Sequence, residues 1–315
     1  MILVTGATGF LGREVVRGLV DAGLSVRALV HTPGRGARLS DLGVETVPGD
    51  VRRPETLASA MAGVETVVHL AAVFRETAGA TFTEVNYRGT ANVVRAAGEA
   101  GVRRLVVASV IGATSDPSSR YMYSRWMAEE ELRRCGLPAA ILRFSVLFGP
   151  GDEFLNMLAA TVRAFPLVAV PGDGRSLLQP LHVEDAARCL VQACVSPRRE
   201  TWTVELGGPD RYTYDQLVDL VADVMGVKVL KVHVPLPVMR VLAAVMEAAL
   251  SRPPVTREQL KLLSVDNVAD LDSVERAFGF APRPLEGNVD YVRRVGYGDA
   301  LRLLLGRPPA HVRDH

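Results

Sequence analysis

The sequence predicts an α/β fold: a doubly wound parallel sheet followed by a smaller C-terminal α/β lobe. Three observations predict it. Short apolar runs recur at residues 1–4, 25–30, 66–72, 104–108 and 138–143. Stretches with apolar residues at helical spacing separate them, at 13–21, 84–100 and 121–134. Such alternation means repeated βαβ units, with parallel strands buried on both faces and right-handed crossovers. Third, the regular rhythm is lost past about residue 150, where helices at 154–165, 183–195 and 214–225 alternate with short extended pieces. Residues 1–150 are therefore assigned to the sheet domain, with parts of the later chain returning to it. Residues 151–305 form the lobe, and 306–315, with two prolines and mixed charge, a disordered tail.

The first element is the most informative. The run Met1-Ile2-Leu3-Val4 leads into Thr5-Gly6-Ala7-Thr8-Gly9-Phe10-Leu11-Gly12, and Val15, Val16, Leu19 and Val20 then repeat at helical spacing. Strand, glycine turn and helix in succession are the context in which a three-glycine pattern signals dinucleotide binding. Gly6 permits the sharp turn and Gly9 lets backbone approach a pyrophosphate. Gly12 allows close helix packing. Free N–H groups and the positive end of the helix dipole then attract the phosphates.

The second strand, 25–30, ends in His31, with Arg35 and Arg38 close behind and no Asp or Glu to bond the ribose hydroxyls of NAD. The basic residues suit a 2′-phosphate, so NADP(H) is expected over NAD(H). A third strand, 44–47, ends in Pro48-Gly49-Asp50-Val51. Pro54 stands where a helix begins, ahead of Leu57, Ala58 and Met61. Beyond the fifth strand a polar loop starts at Ser109, where a hydroxyl donor beside a substrate carbonyl belongs. The helix at 121–134 opens with Tyr121-Met122-Tyr123-Ser124-Arg125. Tyr121 and Arg125 share a helix face, and a cation beside a phenol favours its ionised form. Tyr123 is a rival base, but its partner four positions on, Met127, carries no charge. His69 closes an apolar strand and reads as a core histidine; the role of His182 stays open.

Composition is that of an ordinary globular protein, with 48% hydrophobic and 23% charged residues. A net charge of +1 gives no support for a nucleic-acid partner. Cys135, Cys189 and Cys194 lack metal-ligand spacing and an even count. They read as buried thiols of a reducing compartment, and no metal is expected. A chain opening in a strand without a leader pattern is expected to be cytoplasmic. No apolar run spans a bilayer. Residues 238–250, rich in Met, Val, Ala and Leu, form a packed helix of the lobe. Peripheral membrane association stays open for this helix, although it carries only Arg240 and Glu247 as charges.

Several stretches resemble the extended and atypical short-chain dehydrogenase/reductases, which belong with the NAD-dependent epimerase/dehydratase proteins and carry a Rossmann sheet. They are residues 5–12, Gly49-Asp50-Val51, His69-Leu70-Ala71-Ala72, and Tyr121 with its basic residue four positions on. Leu142-Arg143-Phe144-Ser145-Val146-Leu147-Phe148-Gly149-Pro150-Gly151-Asp152, Gln179-Pro180-Leu181-His182-Val183-Glu184-Asp185-Ala186-Ala187 and Glu205-Leu206-Gly207-Gly208-Pro209 narrow the resemblance. They are similar to the subgroup of the dehydrogenase-like accessory subunit of respiratory complex I. The resemblance implies that Gly6, Thr8, Gly9, Phe10, Leu11 and Gly12 cradle the pyrophosphate and that Asp50 and Val51 meet the adenine. It places Leu70, Ala71, Ala72, Phe144 and Val146 around the nicotinamide and makes Asn86 a structural or cofactor-side residue. Ser109, Tyr121 and Arg125 become the catalytic group. The family pattern has lysine where this chain has Arg125, which keeps the charge but relays no proton near neutral pH. Two readings follow. One is an oxidoreductase, or an epimerase or dehydratase of a nucleotide sugar, moving hydride between NADP(H) and a small carbonyl or alcohol substrate. The other is a non-catalytic NADP(H)-binding accessory, assembly or redox-sensing protein of a membrane complex.

Overall fold

The computed structural model describes residues 1–32, 34–249, 253–307, 309 and 312; the side chain of Arg38 lies outside the described residues, as does most of the expected disordered tail. The chain runs through β1 (Ile2–Thr5), α1 (Phe10–Asp21), β2 (Val26–Val30), α2 (Ala37–Ser40), β3 (Glu45–Pro48), α3 (Leu57–Ala60) and β4 (Thr66–His69). A π-helix at Phe82–Arg88 runs directly into α4 (Gly89–Glu99). Then come β5 (Arg104–Val110), α5 (Arg120–Arg134), β6 (Ala139–Phe144), β7 (Leu147–Phe148), α6 (Phe154–Ala164), β8 (Leu167–Pro171), β9 (Leu177–Leu178) and β10 (Leu181–His182). The remainder holds α7 (Val183–Val195), β11 (Trp202–Leu206), β12 (Tyr212–Thr213), α8 (Tyr214–Met225), β13 (Leu230–Val234), α9 (Leu236–Ala249), α10 (Arg257–Leu262), α11 (Ser273–Phe278) and α12 (Tyr297–Leu304).

The chain divides into two compact units. The first comprises Met1–Phe144, Val183–Leu206 and Arg276–Gly279. Its sheet has seven strands in the order β11-β6-β5-β4-β1-β2-β3, every neighbouring pair parallel. The strand order reverses between β1 and β4, which makes their carboxyl ends the switch point where ligands of such sheets bind. Leu3, Val67, Leu105 and Ile141 bury one face of the sheet against Leu57, Val93 and Ala97. The stretch 183–195, read from sequence as part of the lobe, is instead a helix of this unit. α7 packs on α1, where Gly18 leaves room for Val191. β11 then adds a seventh strand beside β6, with Trp202 opposite Ala140. As an edge strand with two of its five residues exposed, it lacks the continuous apolar run that marked the others.

The second unit comprises Ser145–His182, Gly207–Glu275 and Phe280–His315. It is built on three strand pairs, β7 with β10, β8 with β13, and β9 with β12. Phe148, Leu155, Leu217 and Val292 are central to its core. Among the described residues no helix is long and apolar enough to cross a membrane.

Candidate functional site

The glycine turn sits at the end of β1. Gly6 has φ of +71°, a conformation that L side chains rarely adopt, and a Cβ there would come 2.7 Å from the Ala71 nitrogen. The turn therefore abuts the loop after β4. Gly12 lies inside α1, and a Cβ on it would run into the Gly6 carbonyl oxygen. Its packing partner is the turn itself rather than the sheet. Gly9 is the helix N-cap, with φ of −78°, and a Cβ there would meet only the Gly6 oxygen, at 3.2 Å. No side chain caps α1 and no acid stands in its first turn, so the helix start presents N–H groups with no intrahelical acceptor. Thr8, Phe10 and Leu11 are half-buried around it.

The loop after β4 is fixed from below. Thr90 Oγ1 donates to the Asn86 carbonyl at 2.6 Å, so it accepts from His69 Nε2 at 2.9 Å. His69 Nδ1 then accepts from Thr5 Oγ1 at 2.7 Å. This tautomer leaves His69 with both nitrogens occupied, and burial together with Arg125 lowers its pKa to about 3. It is a neutral core histidine. Asn86 is fully buried. Its oxygen accepts from the Val73 backbone at 2.8 Å, and its amide donates to Val73 at 3.1 Å and to Ser124 at 3.2 Å. Asn86 thus ties the 70–73 loop to α5. Thr5 and Asn86 together hold Leu70, Ala71 and Ala72 at the rim, where Ala72 is exposed.

Tyr121 and Arg125 lie one turn apart on the buried face of α5, 3% and 4% exposed. The Tyr121 ring packs between Phe74, 4.7 Å away, and Phe82, 5.5 Å away. Burial raises its pKa to about 12, and the opposing pull of Arg125 does not offset this. Arg125 donates to the Ala108 carbonyl of β5, and its buried Nε has no partner among the described residues. Tyr123 stacks on Trp126 instead of facing the site.

Ser109 requires a correction. It lies within β5, 3% exposed, and its hydroxyl donates to Glu129 Oε1 at 2.6 Å. Its one hydrogen is committed, so it has none to give a substrate carbonyl. Glu129 also receives Arg143 through Nε at 2.9 Å and Nη2 at 2.7 Å, and Arg133 at 2.7 Å. Burial pushes the Glu129 carboxyl up, but the bonds from Arg143 and Ser109 bring it below its ordinary value. Glu129→Ala leaves Arg143 and Ser109 without this carboxylate. It is expected to lower unfolding stability by about 3 kcal/mol in urea titration. An unchanged midpoint would show that the cluster contributes nothing.

Asp50 and His31 meet at the ends of β3 and β2. Arg52 Nε grips both Asp50 oxygens at 3.1 and 3.0 Å, and its Nη2 donates to His31 Nε2 at 3.0 Å. Burial raises the Asp50 carboxyl, yet the hydrogen bonds of Arg52 hold it below its usual range. Arg52 is the residue that sequence reasoning missed; its signal was only a basic residue two places beyond Asp50. Arg35 is exposed in the turn after β2. Val51 belongs to the core and packs against Gly89. A cavity of about 790 Å³ opens beside this cluster, lined by Asp50, Arg52, Gly79, Glu84, Arg88 and Asn92. Phe144 is the last residue of β6, buried in the first unit. Val146 belongs to the second unit, where Asn267 holds its backbone. His182, also of that unit, is buried against Phe148 and takes a bond from Arg283 at 3.3 Å. The cysteines are free, and burial raises the Cys189 and Cys194 thiols well above their ordinary pKa.

An uncapped helix start, a turn closed to any Cβ at Gly6, and an orphaned guanidinium nitrogen at Arg125 fit a bound dinucleotide. Relatives agree. The chain is 34% identical over 252 residues to ceramide reductase of Caulobacter vibrioides, covering 79% of this chain and 78% of that protein. It is 29% identical over 301 residues to mouse NADH dehydrogenase [ubiquinone] 1 alpha subcomplex subunit 9, covering 92% and 79%. The crystal structure of gox2253 superposes with a TM-score of 0.75 at 28% identity, covering 98% and 99%. The model of the NAD dependent epimerase/dehydratase family matches residues 2–206, the stretch that carries the glycine turn and the Tyr121–Arg125 pair, and the chain belongs to that family.

Proposed function

We propose that the protein reduces a carbonyl substrate with NADPH. The carrying observation is the Tyr121–Arg125 pair, buried on one face of α5 with the phenol held protonated. The N-terminus of α1 and Gly9 receive the diphosphate, and the spare Nε of Arg125 can donate to a ribose hydroxyl. When bound, the reduced nicotinamide supplies the hydride. Tyr121, neutral at pH 7, gives its proton to the substrate oxygen as that oxygen gains charge. Arg125 then offsets the charge left on the phenol. The similarity to a ceramide reductase favours the reductive direction. The test is a panel of ketones and aldehydes with NADPH, read by nicotinamide absorbance. Turnover lost in Tyr121→Phe supports the proposal; equal turnover in that variant removes Tyr121 from the chemistry.

NADPH is preferred because His31 stands at the end of β2, where a 2′-phosphate belongs, with Arg52 bonded to it and Arg35 exposed in the turn that follows. One charge-assisted bond is worth about 1.5–3 kcal/mol, so calorimetry is expected to show NADPH binding roughly ten- to a hundredfold more tightly than NADH. Equal affinities, or tighter NADH, refute this.

A second reading has its own observation. Ser109 has no hydrogen to spare, and arginine stands where the family has lysine. A nucleotide-binding accessory or redox-sensing protein of a membrane complex needs neither group. The similarity to subunit 9 of an NADH dehydrogenase supports that role. Under it, wild type and Arg125→Lys both bind nucleotide and neither turns over any carbonyl.

A further inference from the structure

We propose that the second unit docks on the surface of an anionic lipid bilayer through the outward face of α9. The helix buries only Met239 and Ala243, against Leu260 of α10. About a third of a turn away run Val238, Val241, Leu242 and Val245, at the i, i+3, i+4, i+7 spacing of one continuous stripe. They are 50%, 64%, 49% and 61% exposed. An amphipathic helix normally turns such a stripe to the core, and this one turns it to solvent. β13 leads into α9 with only Pro235 between, and it extends the apolar surface. Leu230 stands opposite Leu167 of β8, and both are more than half exposed.

Charge identifies the occupant. The chain contains three lysines, and all of them, Lys228, Lys231 and Lys261, fall between Gly226 at the end of α8 and Leu262 at the end of α10. That segment holds six basic residues against two acidic ones, a net charge of +4 in a chain whose total is +1. Lys231 pairs with Asp219, Arg257 with Glu247 and Lys261 with Glu258. Lys228 and Arg240 are exposed and have no carboxylate partner among the described residues. Read alone, α9 is too poor in basic residues for an interfacial helix. The chain on either side of α9 carries more basic residues than the helix itself, with Lys228 in the loop before β13 and Arg257 and Lys261 in α10. Exposed aliphatic side chains on a segment of net positive charge suit the boundary between acyl chains and anionic headgroups.

The test is co-sedimentation of the full chain with phosphatidylcholine vesicles, with and without phosphatidylglycerol. Wild type is expected to pellet with the anionic vesicles, and less so as salt rises. Val241→Asp combined with Val245→Asp is expected to lower partitioning at least about tenfold. Lys228→Glu combined with Arg240→Glu should lower it by roughly fivefold for each residue. All four side chains are exposed, so circular dichroism melting and nucleotide binding serve as controls for folding. Absent pelleting of wild type, or pelleting unchanged in the aspartate pair, overturns the proposal. So does a dimer in sedimentation velocity that the aspartate pair dissolves without any vesicle binding, which assigns the stripe to a second copy of this chain. None of these outcomes depends on the chemistry at Tyr121.

Discussion

Tyr121→Phe is expected to lower carbonyl reduction by roughly two to four orders of magnitude while leaving nucleotide affinity near the wild-type value. The substitution removes one hydroxyl and keeps the ring, which stays packed between Phe74 and Phe82. Loss of turnover therefore reports on the proton and not on folding. Arg125 is expected to behave differently. Arg125→Met removes both the charge beside the phenol and the buried donors, so turnover and nucleotide affinity fall together. Arg125→Lys keeps the charge and adds a group able to pass a proton, so it retains turnover or raises it. The measurements are steady-state absorbance and calorimetry on all four proteins. Tyr121→Phe turning over as fast as wild type would end the proposal that this phenol is the acid. Arg125→Met with unchanged nucleotide affinity would show that its unspent Nε does not face the ligand.

The second large effect is expected at Gly9. Gly9→Val should weaken nucleotide binding by at least about a hundredfold, the loss of two charge-assisted bonds to phosphate. The fold should survive, because the backbone at Gly9 is open to any residue and a Cβ there meets only one atom. Gly12→Ala supplies the contrast. Its Cβ would strike the Gly6 carbonyl, so helix and turn must separate, and thermal stability should fall along with binding. Calorimetry and thermal melts on both variants decide the matter. A Gly9→Val protein that binds nucleotide normally would move the phosphate site away from α1. A Gly12→Ala protein with wild-type melting would show that the turn is looser than its packing indicates.

The sequence by itself determined the features that depend on neighbours along the chain. β1, the glycine turn and α1 follow from a dozen residues, since strand and helix periodicities and a positive φ at Gly6 are local properties. The shared face of Tyr121 and Arg125 follows from helical spacing alone. So does the parallel sheet, because buried strands announce themselves as unbroken apolar runs. Only the tertiary structure decided what distant partners do. Ser109 and Glu129 are twenty residues apart, and their bond turns an expected substrate donor into part of a buried cluster. Arg52 reaches His31 across the ends of two strands. The helix expected over 84–100 starts earlier, as a π-helix capped by Thr81. The seventh strand and α7 return to the first unit because β6 and α1 leave an edge and a face for them. The outward turn of the α9 stripe is likewise invisible to periodicity, which shows that a helix has an apolar side but not whether the fold covers it.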